Sequence, residues 1–297
     1  MAPVARPRQV ALVTGSASGL GAALCVELAS RGYAVAATAR AGSSDPRLTE
    51  TVARAREAAG GDEGAAAAFQ CDVTSPTSCA ACVERVVGEM GPIDLLVCNA
   101  GGTRFGPMLE QPVDEVRAVF EVNVFGVLHT IQAAMPSMCE RRRGKVLIIG
   151  SVSATLTTPF AGAYSASKAA VHEIAEALRM EVERYSVSVS VAVLGSFKSG
   201  FSETGRAAMQ GVEGSALYSD VAEALEARTF ASQQGNIAQP PQRVAKDLVD
   251  AMSKPKPLAF IGAAGSCTKF RLLGFLQKNL WPWTYVQNKL AAAHGLA

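Results

Sequence analysis

Gln9–Ala29 reads QVALVTGSASGLGAALCVELA, and the order of its parts decides the fold. An apolar, β-rich run from Val10 to Thr14 passes through Gly15, Gly19 and Gly21 into a helical pattern. A glycine-rich turn between a first strand and a first helix lets a pyrophosphate approach the backbone and face the helix N-terminus. Outward from this unit, further apolar runs recur at Val35–Ala39, Ala66–Phe69, Ile93–Cys98, Val146–Ile149 and Val187–Val193, with helix-like stretches between them. That alternation predicts an α/β chain with a doubly wound parallel sheet covered on both faces. No Pro/Ser-rich linker or internal repeat divides the 297 residues, so a single domain over 1–262 is expected, followed by an extension over 263–297.

A second stretch, Gly150–Lys168 (GSVSATLTTPFAGAYSASK), spaces Ser151, Tyr164 and Lys168 as S-x12-Y-x3-K. On a helix, Tyr164 and Lys168 share a face. A free phenol titrates at about 10, and an adjacent ammonium pulls it toward the range useful for proton transfer. Ser151 follows the apolar run Lys145–Gly150 (KVLIIG), which sets its hydroxyl at a strand's carboxyl end, where open α/β sheets hold ligands. Tyr164 is then suited to act as a general acid or base, and the Ser151 hydroxyl to hold a substrate oxygen. A bare Y-x3-K also occurs at ordinary helix starts; the glycine turn upstream is what distinguishes this one.

Together these stretches resemble the short-chain dehydrogenase/reductase family over most of the chain. Thr14-Gly15-Ser16-Ala17-Ser18-Gly19-Leu20-Gly21 is similar to its cofactor turn, Asp72-Val73 to its adenine-contacting pair, and Asn99-Ala100-Gly101 to the motif that follows its fourth strand. Asn123, within FEVNVFG, matches the family's catalytic asparagine, and Ser151, Tyr164 and Lys168 match its triad. The resemblance implies a Rossmann-type fold and NAD(P)-dependent interconversion of an alcohol and a carbonyl, with no metal. It implies also that Lys168 binds the nicotinamide ribose and holds down the pKa of Tyr164, while Asn123 helps position a water linking Lys168 to solvent. Ser153 rivals Ser151, at a spacing that suits the family less well.

Cofactor choice is read at the end of the second strand, Ala36-Ala37-Thr38-Ala39-Arg40. Where an NAD enzyme usually carries an acid for the ribose hydroxyls, this chain has Ala39, and Arg40 follows with a planar fork suited to a 2′-phosphate. NADP(H) is the expected cofactor, the other reading being that Arg40 only begins a solvated loop. Ser16 and Ser18 could add hydroxyl contacts to phosphate. After the sixth strand Leu194 replaces the proline of the family's Pro-Gly pair, Gly195 remains, and Ser199 could substitute for the threonine that meets the carboxamide. This departure puts the local loop shape in question. A mostly helical substrate lid is expected over about 196–240; its Phe201, Met209, Leu217, Tyr218 and Phe230 would suit an apolar substrate or pack on the fold's own core.

From Ala251 onward there are six Lys and Arg and no acid, so in a chain of net charge +2 the part before Ala251 carries −4. Thr268–Leu280 places Phe270, Leu273, Leu276 and Leu280 on one apolar face among basic residues, and Trp281–Tyr285 (WPWTY) follows. That is the composition of a membrane-surface element, interrupted by Lys and Arg too often to cross. It would equally suit packing over the cleft or against a second subunit. With this tail the chain is similar to the branch holding acyl-dihydroxyacetone-phosphate reductases and 17β-hydroxysteroid dehydrogenases, on DLLVCNAGG (Asp94–Gly102), VNVFG (Val122–Gly126) and PFAGAYSASKAAVH (Pro159–His172). The expected partners are a lipophilic carbonyl or alcohol, with a steroid or retinoid as alternatives, and a second copy of the chain in a homodimer or homotetramer. The expected location is the cytoplasmic side, peripheral on endoplasmic reticulum or lipid-droplet membrane.

Other features carry less. Seven scattered cysteines read as reduced thiols, and the C-x2-C of Cys79 and Cys82 lies on a predicted helix without a second ligand pair. Only Met1–Arg8 precede the first strand, too few for a secretory peptide. His129 and His172 fall in helical patterns, where a satisfied structural histidine is the default. A non-catalytic NADP(H)-binding scaffold is the alternative of another class; it would have no need of a tuned phenol.

Overall fold

The computed structural model describes residues 8–198, 217–218, 238–264 and 292. Seven parallel strands stand in the order β3-β2-β1-β4-β5-β6-β7. They are β1 (Val10–Val13), β2 (Ala34–Ala39), β3 (Ala66–Gln70), β4 (Ile93–Cys98), β5 (Gly144–Ile149), β6 (Val187–Leu194) and β7 (Phe260–Ala263). The helices are α1 (Gly19–Ser30), α2 (Pro46–Ala58), α3 (Pro76–Met90), α4 (Val113–Phe120), α5 (Gly126–Glu140), α6 (Gly162–Val182) and α7 (Pro241–Met252). The six expected strands form, and β7 is an addition. It pairs with Val191–Leu194 and takes in Ala263, where the extension was expected to begin.

Each face of the sheet has its own core. Leu12, Leu96, Val146 and Ile148 turn one way, toward Cys79, Val86, Ile131, Met138 and Val171 of α3, α5 and α6. Ala11, Val13, Val97 and Leu147 turn the other, toward Leu24, Leu28, Leu48, Val52, Leu248 and Met252 of α1, α2 and α7. This period-2 alternation with apolar residues on both faces belongs to a fully covered parallel sheet. Strand order reverses between β1 and β4, and at such a switch point the loops leave in opposite directions and open a crevice.

Helix starts differ in a way that bears on this crevice. Asp45 and Ser75 cap α2 and α3 by accepting from the amides of Arg47 and Ser78, each with a proline in the first turn. Ser18, ahead of α1, makes no side-chain cap. The first amides of α1 therefore keep their capacity to donate to an anion.

Candidate active site

Thr14 stitches the switch point together. Its Oγ1 accepts from the amides of Asn99 and Ala100, both at 3.0 Å, and Asn99 Nδ2 donates to the carbonyls of Thr14 and Gly15 at 2.9 and 3.0 Å. Gly15 lies at φ +68°, and a Cβ there would stand 2.9 Å from Ala100 Cα. A Cβ on Gly21 would stand 2.2 Å from the Gly15 carbonyl oxygen, so α1 can begin against the turn only with glycine at that position. Ser18 is exposed, Gly19 is half-buried and Leu20 is buried.

Ser16, expected to offer its hydroxyl to phosphate, is fully buried, and its Oγ donates to the Val13 carbonyl at 2.7 Å. Its amide and hydroxyl also tie the turn to Thr38 of β2, so Ser16 builds the loop and does not line it. Ser18 stays exposed. Arg40 is exposed at the end of β2 and unengaged by the described residues. Asp72 holds the turn after β3 by accepting from Thr74, and Val73 packs so closely on Gly126 that a Cβ there would be 2.8 Å from Val73 Cγ2.

At the ends of β4 and β5 the remaining candidates come together. Asn123, fully buried, sits in a π-helical turn (Glu121–Phe125) between α4 and α5. Its Oδ1 accepts from the Gly102 amide at 2.8 Å, and its Nδ2 donates to the Gly102 carbonyl and to Ser167 Oγ, both at 2.9 Å. The side chain is thus spent on fastening the loop after β4, and with it Gly101, to α6. Lys168 is 5% exposed, and its Nζ stands 5.9 Å from the Tyr164 ring centre and donates to the Ile149 carbonyl at 2.8 Å. Burial pushes the Lys168 ammonium down to about 8 from the ordinary 10.5. Tyr164 is half-buried one turn earlier on the same helix face. Ser151 lies just past the end of β5, with its Oγ accepting from the Ser153 amide at 3.1 Å and its own amide donating to His172 Nε2 at 3.3 Å. Neighbouring Ser153 is half-buried, and its side chain starts no cap.

Apolar side chains gather where the chain enters α6. Phe160, held at φ +63°, turns the chain into α6, and its ring meets Tyr218 edge-on at 6.3 Å. Met108 is half-exposed and packs against Gly162, while Leu217 is exposed. Ser199, Phe201, Met209 and Phe230, most of the expected lid, Cys267 and the basic, aromatic tail all lie outside the described residues. Among the described residues the six cysteines are unpaired, and Cys79 and Cys82 point from α3 into the core. Sequence reasoning missed Ser167, which joins Asn123 to the Tyr164 carbonyl by donating to it at 2.7 Å, and the link from His172 to Ser151. A serine inside Y-x3-K is the only signal the first carries, and the second has none.

A family described as short chain dehydrogenase matches residues 9–210. Estradiol 17-beta-dehydrogenase 1 of Rattus norvegicus is 35% identical over 257 residues, which is 84% of this chain and 71% of that protein. A 3-ketodihydrosphingosine reductase of Bacteroides thetaiotaomicron is 32% identical over 195 residues, 66% of either chain. A short chain dehydrogenase/reductase from Burkholderia phymatum, solved in complex with NAD, superposes with a TM-score of 0.77 at 23% identity, covering 91% of this chain and 93% of that one. That last likeness is one of fold.

Proposed function

The chain belongs to the short-chain dehydrogenase family, whose members are oxidoreductases of CH–OH and C=O groups, and from that premise we propose that it is an NADP(H)-dependent reductase of a lipophilic ketone. The observation that carries the reading is the buried Lys168 ammonium 5.9 Å from the Tyr164 ring, beside a serine fixed at the end of β5. A structural tyrosine has no use for a charge kept out of water at such cost.

A dinucleotide fits the residues present. The close approach of Gly21 to Gly15, the uncapped start of α1, exposed Ser18 and half-buried Gly19 form a backbone cradle for its phosphates, with Asp72, Val73 and Asn99–Gly101 along the crevice. When bound, the reduced cofactor supplies the hydride. Tyr164 passes its phenolic proton to the oxygen that was the carbonyl, and Ser151 Oγ donates a hydrogen bond to that oxygen as negative charge grows on it. Lys168 favours the ionised phenol left behind. Asn123 keeps the loop after β4 and α6 in register, so that Gly101 and Lys168 meet the same ligand. Arg40 supports NADP(H) over NAD because a free guanidinium pairs with a 2′-phosphate, whereas no acid is there to accept from a 2′-hydroxyl.

For the substrate, the apolar group of Phe160, Tyr218 and Met108 at the start of α6, the helix that carries Tyr164, supports a lipophilic carbonyl, and the basic tail supports an acylated, anionic one such as 1-acyldihydroxyacetone phosphate taken at a membrane surface. The same tail supports peripheral attachment on the cytoplasmic side. A steroid ketone is the second reading, favoured by the rat relative. The test is consumption of NADPH, with NADH in parallel, given an acyl-dihydroxyacetone phosphate or estrone, for the native chain and Tyr164→Phe. Turnover with NADPH that vanishes in Tyr164→Phe, with cofactor binding retained, is the expected result. Binding of NADPH without turnover of any carbonyl would leave a scaffold and sink the reductase.

A further inference from the structure

Helix α6 holds the end of β5 at two successive points. Lys168 Nζ donates to the Ile149 carbonyl at 2.8 Å, and one turn on, His172 Nε2 accepts from the Ser151 amide at 3.3 Å. Gly150 lies between them. A Cβ on Gly150 would stand 2.2 Å from His172 Nε2 and 2.7 Å from Val191 Cγ1, so the imidazole fills the room that a side chain would take. His172 is only 8% exposed, and the Phe260 ring of β7 sits 6.2 Å from it, tilted by 54°. An amide can donate only to a ring nitrogen with a free lone pair. Nε2 therefore carries no proton in this arrangement, and the neutral imidazole has its hydrogen on Nδ1.

We propose that His172 is a positioning residue for Ser151, its neutral imidazole fixing the serine backbone so that Ser151 Oγ faces the substrate carbonyl. The proposal rests on the reductase reading above, in which Ser151 touches the reacting oxygen. A proton arriving at Nε2 turns the acceptor into a second donor, and two N–H groups then oppose each other. The Ser151 amide must swing away. Ser151 Oγ caps the short turn Val152–Ala154 through the Ser153 amide, so that turn moves with it. Among the described residues, the titratable side chains nearest along its own helix are Lys168 one turn before, Glu173 next in sequence and Glu176 one turn after. Gly150 and Ser151 from the end of β5, Val191 from β6 and Phe260 from β7 contribute none.

The experiment compares the native full-length chain with His172→Gln and His172→Leu, measuring kcat and KM for carbonyl reduction from about pH 6 to 8, the range in which imidazoles titrate. Glutamine carries an acceptor oxygen that reaches as far as Nε2 and does not titrate. Native kcat should fall toward acid pH. His172→Gln should hold kcat near the native plateau and lose that fall, whereas His172→Leu should lower kcat about tenfold or more at every pH, with the KM for NADPH little changed, because a buried amide is left unpaired. An acid fall unchanged in His172→Gln, or a native kcat in His172→Leu, would overturn the proposal. The imidazole nitrogen chemical shifts of the native protein supply a readout independent of activity: a neutral ring with the proton on Nδ1 is expected, and a proton on Nε2 would overturn it as well. If the native chain reduces no carbonyl, the functional reading fails alone, because the nitrogen shifts still decide whether His172 accepts from Ser151.

Discussion

Lys168 gives the site a cost in stability that can be measured without any substrate. The ammonium is 5% exposed, and burial alone brings its pKa down to about 8 in the fold, against 10.5 for a lysine in water. The sign follows from proton counting. Between these two values the unfolded chain holds a proton that the folded chain has released, so stability rises with pH across the window and the cost is greatest below it. Relative to an uncharged residue at this position, the folded state pays about 3 kcal/mol at pH 7, falling to about 1 kcal/mol at pH 10. Replacing the side chain by one of similar length, Lys168→Met, removes the titration altogether. It also removes the bond to the Ile149 carbonyl, but that loss shifts the difference between the two proteins by a constant. Urea unfolding of the native chain and Lys168→Met at pH 7 and pH 10, without cofactor, isolates the remainder. The advantage of the variant should shrink by about 2 kcal/mol between the two pH values. A difference that stays flat would refute the reasoning, since the lysine would then be hydrated in the native state.

Two further outcomes test the cradle and the choice of serine. Gly21→Ala puts a methyl group 2.2 Å from the Gly15 carbonyl, so cofactor binding followed by fluorescence should weaken at least tenfold while the far-UV spectrum is retained; native affinity would mean the turn yields and is not the cradle. Ser151→Ala should lower kcat about a hundredfold, the scale of one lost donor to a developing oxyanion, and Ser153→Ala should leave kcat within about threefold; loss of turnover only in the second would exchange their roles.

Much of this was legible in the chain because each motif is a local strand, turn and helix. The glycine turn, Asn99–Gly101 after β4, and Ser151 after β5 each follow a short apolar run that reads as a buried strand, so their position at the sheet's carboxyl end follows from chain order. Tyr164 and Lys168 were legible because helical spacing alone puts them on one face. β7 was not, for Phe260–Ala263 is four residues long and owes its existence to pairing with Val191–Leu194, far upstream. Neither was the π turn at Glu121–Phe125, since one extra residue in a helical turn leaves the apolar period almost unchanged.

Side chains that act on the backbone of another element are the common factor in what the sequence concealed. A glycine-turn serine reads the same whether its hydroxyl faces phosphate or, as with Ser16, the Val13 carbonyl within. A helical histidine reads as structural whether it meets water or, as with His172, the amide of Ser151. Backbone groups are identical at every position, so no residue pattern announces that one of them is the partner. The contacts that bring Ser151, Lys168 and Asn123 into register, to the Ser151 amide, the Ile149 carbonyl and the Gly102 peptide, are all of this kind. It follows that variants at Asn123 and Ser167, like His172→Leu, should change how the site is held more than what it binds, and should lower kcat ahead of cofactor affinity.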